Sequence, residues 1–258
     1  MEYNIERNIV VSGHPAMDNG LAVPPFGQVH LHSTANTNAT LDNEVAYLKN
    51  NWQNGYYTHL VGEGGRIIQV AETNGGAYDV GGDWNWETYA AIEFGERVTS
   101  QEDFNKSYRA YIWLARKLAD ECGANYDLDD NDVIGIKTHN FASQTGHGSD
   151  HVDPLPFLQK WGISYDQLKK DVLNGLDEEK PMAQPKFKDG DNIRLTTKAS
   201  ASAYGTAFDK GTKATWGKID GKAFELHKSN SNYAYRVAFW YNNAIVFWNI
   251  LEQDLQIK

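Results

Sequence analysis

Gln28-Val-His-Leu-His-Ser-Thr-Ala-Asn36 is the stretch that decides the fold. From Gln28 to His32 polar and apolar residues alternate, which is the two-residue period of a strand. Val29 and Leu31 then share one face, and His30 and His32 share the other. Working outward, Thr40 is placed to cap a helix with Val45, Leu48 and Trp52 on one side. Tyr57–Val61 and Arg66–Val70 flank Gly62-Glu-Gly-Gly65, a hairpin signature. Tyr89–Phe94 reads as a further strand. A long helix follows, with Ser100 and Asp103 spaced as a cap pair. Its apolar stripe is Phe104, Tyr108, Tyr111, Ile112, Ala115 and Leu118, and Gly123 ends it. Ser164 caps a last helix through Leu173. Strands alternating with helices in this way predict a mixed-sheet α/β domain with helices packed on the sheet.

The texture changes at Asp177-Glu-Glu-Lys-Pro-Met-Ala-Gln-Pro-Lys186, which is charged, holds two prolines and has no periodicity. That reads as an extended linker over residues 177–186, dividing a domain over 1–176 from one over 187–258. Beyond it, short β-rich segments (Asn192–Thr196, Ala234–Trp240, Ala244–Ile250) are separated by Gly and Asn-Asn turns, which predicts a small all-β barrel. Twelve aromatics fall after the linker. Tyr204, Trp216, Tyr233 and Trp240 are candidates for exposed stacking surfaces, with barrel filling as the alternative.

Of 258 residues, 24 are Lys or Arg and 34 Asp or Glu, a net charge of −10. From Met182 onward 11 basic residues face 7 acidic ones, a balance of +4; the remaining 13 against 27 leave −14 on the first part. A balance of +4 is too weak to single out nucleic acid among polyanions, and no nucleic-acid partner is expected. The one cysteine, Cys122, excludes an intrachain disulfide and is expected to pack on its helix. No stretch has the length of a membrane span, and Met1–Ile9 lacks the apolar core of a secretion signal. Synthesis in a cytoplasm without membrane insertion is therefore expected, with a separate route to any extracellular target.

Seven of the eight histidines lie within the first 151 residues: His14, His30, His32, His59, His139, His147 and His151. Histidines spread over strand and loop, with carboxylates nearby, form a metal-site candidate. His30 and His32 are both open as ligands on residue type alone. Trp84 and Trp86, in a Gly-rich loop, are open as groove walls or as packing.

His32-Ser-Thr-Ala35, then Thr138-His-Asn140, then His151-Val-Asp-Pro154 resemble, in that order, the motifs of the type-2 zinc amidases of phage endolysins, bacterial autolysins and peptidoglycan-recognition proteins. Thr58–Gln69 looks like the family's hairpin, and Ala90-Ala-Ile-Glu93 like its glutamate-bearing strand. The resemblance spans about Val23 to Leu173. It implies zinc (Zn2+) held by His32, His139 and Asp153, with Glu93 as general base and His151 steadying the oxyanion. It favours His32 over His30. Thr58 stands where some short phage members carry a catalytic Tyr, and Asp79 where relatives often carry His.

Such a ligand set suits the chemistry. Two neutral imidazoles and one carboxylate leave net positive charge on the ion and a position open for water. The last part of the chain resembles, more loosely, the bacterial Src-homology-3-like wall-binding domains, through Lys188-Asp-Gly-Asp191, Tyr204-Gly-Thr206, Trp216 and Phe247–Leu255. Together these imply a phage lysin: an N-acetylmuramoyl-L-alanine amidase that cuts the stem peptide from peptidoglycan, with a module for a wall polymer. It would stay in the infected cell's cytoplasm until released to the wall. The alternatives are a zinc peptidase cutting within the stem and a binding-only recognition protein. Glu178-Glu179 just upstream of Met182 also raises an internal translation start. Free copies of the last 77 residues would then associate with the full chain.

Overall fold

The computed structural model describes residues 2–176, 185–208, 212, 215–228, 231–241 and 243–257. The linker positions 177–184, with Met182 and the proposed internal start, lie outside the described residues. The chain divides into two compact units, Met1–Asp177 and Glu178–Lys258.

The first unit runs β1 (Ile5–Val11), α1 (Pro15–Asp18), β2 (Gln28–Ser33), α2 (Leu41–Asn51), β3 (His59–Gly62), β4 (Arg66–Ala71), β5 (Thr88–Phe94), α3 (Gln101–Cys122), β6 (Gly135–Thr138), α4 (His139–Gln144), α5 (Leu155–Lys160) and α6 (Tyr165–Asn174). Its six-stranded sheet has the order β1-β4-β3-β5-β2-β6. Only β3 and β4, the expected hairpin, pair antiparallel; the other neighbours are parallel.

Alternation along the strands divides two cores. Val29 and Leu31 of β2, Val61 of β3, Ala90, Ile92 and Phe94 of β5 and Ile136 of β6 pack with Phe104, Tyr108, Tyr111, Ala115 and Leu118 of α3. On the opposite face Leu60, Ile68 and Val70 pack with Leu41, Val45 and Leu48 of α2. Helix α2 contacts β1 and β3. The β5-β2-β6 half of that face is thus left for polar residues, and His30, His32 and Glu93 occupy it.

Helix ends follow the expected chemistry in most places and depart from it in two. Thr40 Oγ1 accepts from Asn43 N, and Asn43 Oδ1 accepts in return from Thr40 N, a reciprocal capping box. Helix α2 stops at Asn51, so Trp52 opens a 3₁₀ turn and is not the last residue of the helical stripe. Ser100 Oγ accepts from Asp103 N, but the Asp103 carboxylate turns away to accept from Thr99 N and Gly64 N, tying the hairpin tip to α3. Gly123 closes α3 in the left-handed conformation, φ 74°. Strand β1 was not anticipated, because its charges mask it. It is an edge strand on which Arg7 pairs with Glu72 across the sheet.

The second unit is antiparallel: β7 (Asn192–Leu195), β8 (Trp216–Ile219), β9 (Phe224–Lys228), β10 (Ser231–Tyr241), β11 (Ala244–Leu251) and β12 (Leu255–Ile257). The order is β11-β10-β8-β7-β12, with β9 beside β10. Ile193, Leu195, Ile219, Tyr233, Tyr235, Val237, Phe239, Ile250 and Leu255 form its core. Buried Glu252 accepts from the Tyr235 hydroxyl at 2.7 Å and from Lys186 N at 2.9 Å, pinning the first described residues of this unit to its last turn. A Cβ on Gly217 would come within 2.8 Å of Ala238 O, so β8 approaches β10 there only as glycine. Of the four candidate stacking rings, Tyr233 is buried and takes the filling alternative, whereas Tyr204, Trp216 and Trp240 are 66%, 47% and 63% exposed.

Candidate metal centre

The site grows from the end of β2. His32 pairs in register with Glu93 on β5, and β6 beside β2 delivers His139 as the first residue of α4. Thr138 caps α4, accepting from Phe141 N, while its own N–H and hydroxyl donate to Asp129. Asp153 arrives on the loop before α5 and accepts from Ser33 N at 3.3 Å. From the far face of the sheet, the Tyr111 hydroxyl donates to His32 O at 2.9 Å and fixes the strand end.

Three ligand atoms converge. His32 Nδ1 lies 3.1 Å from Asp153 Oδ2 and 3.1 Å from His139 Nδ1; His139 Nδ1 lies 3.3 Å from Asp153 Oδ1. One ligand atom from each of the three residues falls within 4.8 Å of the others. The outer nitrogens are occupied. His32 Nε2 donates to Asp79 Oδ2 at 3.3 Å, and His139 Nε2 faces Val80 O and Ser149 Oγ, both at 3.0 Å. With the Nε2 proton placed on each ring, both Nδ1 lone pairs point at the common centre beside a carboxylate. This donor set, two imidazole nitrogens and one carboxylate oxygen, is of the type that holds zinc by three protein ligands.

A second grouping of His30, His32 and Asp79 also has metal-like spacing, but its donors are spent on one another. His30 Nδ1 lies 2.6 Å from Asp79 Oδ2 and its Nε2 2.6 Å from Gln28 Oε1, while Gln28 Nε2 donates to Val133 O.

Electrostatics match the crowding. Burial works against ionised Asp153, but hydrogen bonds from His139 and His32 outweigh it and hold the carboxyl far below its usual range. Burial likewise opposes a charged His32, and the bonds to Asp153 and Asp79 overcome it, raising its pKa well above 6.5. Glu93 is pushed up to about 8, chiefly by burial, against the pull of His32. Although the residue is half-buried, its Oε2 is closed off from water without a hydrogen-bond partner.

The remaining candidates separate clearly. His151 sits at the rim: its ring is 4.8 Å from that of His139 and its side chain 64% exposed. Thr58 is buried and donates to Ala91 O. His59 is buried against the Thr58 hydroxyl. Trp84 is packing: it is buried, stacks on His147 at 4.5 Å and packs near His30 and Phe141. Trp86 packs edge-on against Tyr78. Sequence reasoning missed Gln28, Thr88 and Ser149. Gln28 starts the deciding stretch, so its burial beside two buried histidines was the available signal.

Residues 24–156 match the family model described as N-acetylmuramoyl-L-alanine amidase. The chain is 46% identical over 179 residues to the lytic amidase of Streptococcus pneumoniae phage HB-3, covering 67% of this chain and 54% of that protein. It is 38% identical over 144 residues to the endolysin of Listeria phage A511, covering 55% and 42%. The chain thus spans about half the length of these curated relatives. Among solved structures, the Staphylococcus aureus hydrolase AmiA with its ligand superposes with a TM-score of 0.58 at 30% identity, covering 67% of this chain and 83% of that one. A match over more than half of the residues, on a mixed α/β fold of the same kind, shows that the chain belongs to the N-acetylmuramoyl-L-alanine amidase family.

Proposed function

We propose that the chain is a zinc-dependent peptidoglycan hydrolase. It would cleave the amide between the lactyl group of N-acetylmuramic acid and the L-alanine of the stem peptide, lysing Gram-positive cells from which a phage is released. The observation that carries this reading is the convergence of His32 Nδ1, His139 Nδ1 and Asp153 beside the unpartnered Oε2 of Glu93. His30 has both nitrogens engaged, which supports His32 as the ligand.

His32, His139 and Asp153 would hold zinc, which would supply a Lewis acid for the amide carbonyl and lower the pKa of water towards neutrality. Glu93 then takes the proton of the attacking water, whose oxygen bonds to the carbonyl carbon. It returns that proton to the alanine nitrogen as the C–N bond breaks, so one carboxyl serves as base and then acid. His151, at the open rim, donates to the carbonyl oxygen as negative charge develops there.

The second unit we read as a Src-homology-3-like barrel that holds the enzyme on the wall. Its support is the outer face of β8, β10 and β11. Trp216, Trp240, Ile245 and Phe247 are all at least 47% exposed there, and Arg236 lies 4.0 Å over the Phe247 ring. Contiguous exposed aromatics mark a binding surface.

Metal analysis of the purified chain tests the catalytic reading. About one zinc per chain is expected, lost in Asp153→Ala. Full hydrolysis by metal-free protein would sink it.

A further inference from the structure

We propose that the segment Asp79-Val80, held by Asn85, is a single clamp that sets which nitrogen both metal-binding histidines present. The inference rests on the zinc-site reading above and concerns residues with no ligand role in it.

The two histidines reach the centre from different elements, His32 from β2 and His139 from α4. Yet the acceptors behind them are consecutive. Asp79 Oδ2 accepts from His32 Nε2 at 3.3 Å, and Val80 O accepts from His139 Nε2 at 3.0 Å, with the Ser149 hydroxyl, whose own backbone N–H is held by Val80 O, beside the same nitrogen. An imidazole whose Nε2 proton is engaged offers its Nδ1 lone pair, so one dipeptide fixes both tautomers and both ring orientations.

The dipeptide is itself immobilised. Asn85 Oδ1 accepts from three successive backbone N–H groups, Asp79 N at 3.0 Å, Val80 N at 2.9 Å and Gly81 N at 3.1 Å. The Asp79 carboxylate is held from its other sides by His30 Nδ1 at 2.6 Å and by the Thr88 hydroxyl at 3.0 Å. Its side chain is 2% exposed. Next along, Ser149 N donates to Val80 O at 2.7 Å, and a Cβ on Gly82 would come within 2.1 Å of His147 O. The segment is therefore pressed against the loop that leads to Asp153. His30, which at first sight competes with His32 for the metal, is the other jaw on Asp79.

The test is zinc affinity of the full chain, measured by competition with a chromophoric chelator, with near-UV circular dichroism as the check on folding. Asp79→Asn and Asn85→Ala are expected to weaken zinc by about 10- to 100-fold, the usual loss for an outer partner of a metal histidine. Asn85→Asp keeps an oxygen acceptor for all three N–H groups and is expected to restore most of the affinity. Asn85→Leu, of similar volume but with no acceptor, is expected to weaken zinc as Asn85→Ala does, whereas a merely space-filling role would leave it near the parent.

Folded Asp79→Asn and Asn85→Ala proteins that bind zinc within about twofold of the parent would overturn the clamp. Failure of the parent itself to bind zinc would overturn the metal reading first. Should a variant not fold, ¹¹³Cd-substituted parent protein decides by ¹⁵N NMR. Coupling of the metal to Nδ1 of both His32 and His139 supports the clamp, and coupling to Nε2 of either contradicts it.

Discussion

Strands β2 and β8 impose opposite conditions on their polar residues. All six residues from Gln28 to Ser33 are buried, while burial in Trp216–Ile219 alternates with exposure. A largely parallel sheet covered on both faces has no solvent side, so each polar group inside it must be partnered or used. Gln28, His30 and His32 are all partnered, and only the inner nitrogen of His32 is left for a metal. On the half-exposed antiparallel sheet the polar residues carry little information, and the outward aromatics carry more. On the reading proposed above, function is written as buried polarity in the first unit and as exposed apolarity in the second.

The largest expected effect breaks the first half of that contrast. His139→Ala or Asp153→Ala should lose zinc and bring hydrolysis to background, while binding to purified walls persists through the second unit. Loss of wall binding in a folded ligand variant would show that the two units do not divide the work.

Next comes Glu93→Gln, expected to keep zinc and lose about 10²- to 10⁴-fold in turnover. His151→Ala should also keep zinc and lose about 10²- to 10³-fold. Metal loss in Glu93→Gln would mean that the ligand set is wrong.

The second half of the contrast is tested by Trp216→Ala and Trp240→Ala. Turnover of a soluble muropeptide should be unchanged. Retention on walls should fall by roughly two- to tenfold for each ring, the range for an aromatic contact of about 0.5–1.5 kcal/mol. Unaltered retention in the double variant would return these rings to the status of incidental surface.

Sequence legibility followed the same division. The faces of β2 and α3 were readable because one side chain after another obeys a period set by burial. The proposed ligand residues came from motif order, which picked out His32, His139 and Asp153, and the structure brings one ligand atom of each within 4.8 Å of the others. Strand β6 was not readable: it is four residues long and contains Lys137, fully buried and satisfied by an ion pair with Asp130 that no local pattern announces. Asp79 stood out only as a departure, because its role depends on two histidines 49 and 47 residues away. Tyr233 and Trp240 look alike in sequence, yet strand parity sends one inward and the other out.

A smaller effect concerns acid stability of the first unit. Burial, aided by nearby Lys117, pushes the His59 imidazole down from 6.5 to about 3. The folded chain keeps it neutral, whereas the unfolded chain takes up a proton below pH 6.5. Its contribution is therefore complete above pH 6.5 and is lost as the pH falls towards 3, at up to about 1.4 kcal/mol per pH unit. Thermal denaturation of His59→Gln across that window should show a shallower fall in midpoint than the parent. An identical slope would mean that His59 is already charged in the fold.

On the reading proposed above, a metal held at His32, His139 and Asp153 serves amide cleavage at the lactyl–alanine bond. The most direct test of that reading is mass analysis of purified peptidoglycan digested by chelator-treated protein before and after zinc is restored. Intact stem peptides bearing a free α-amino group on L-alanine, uncut glycan strands, and product only when zinc is present are expected. Stem peptides cut internally, or the same product from metal-free protein, would contradict it.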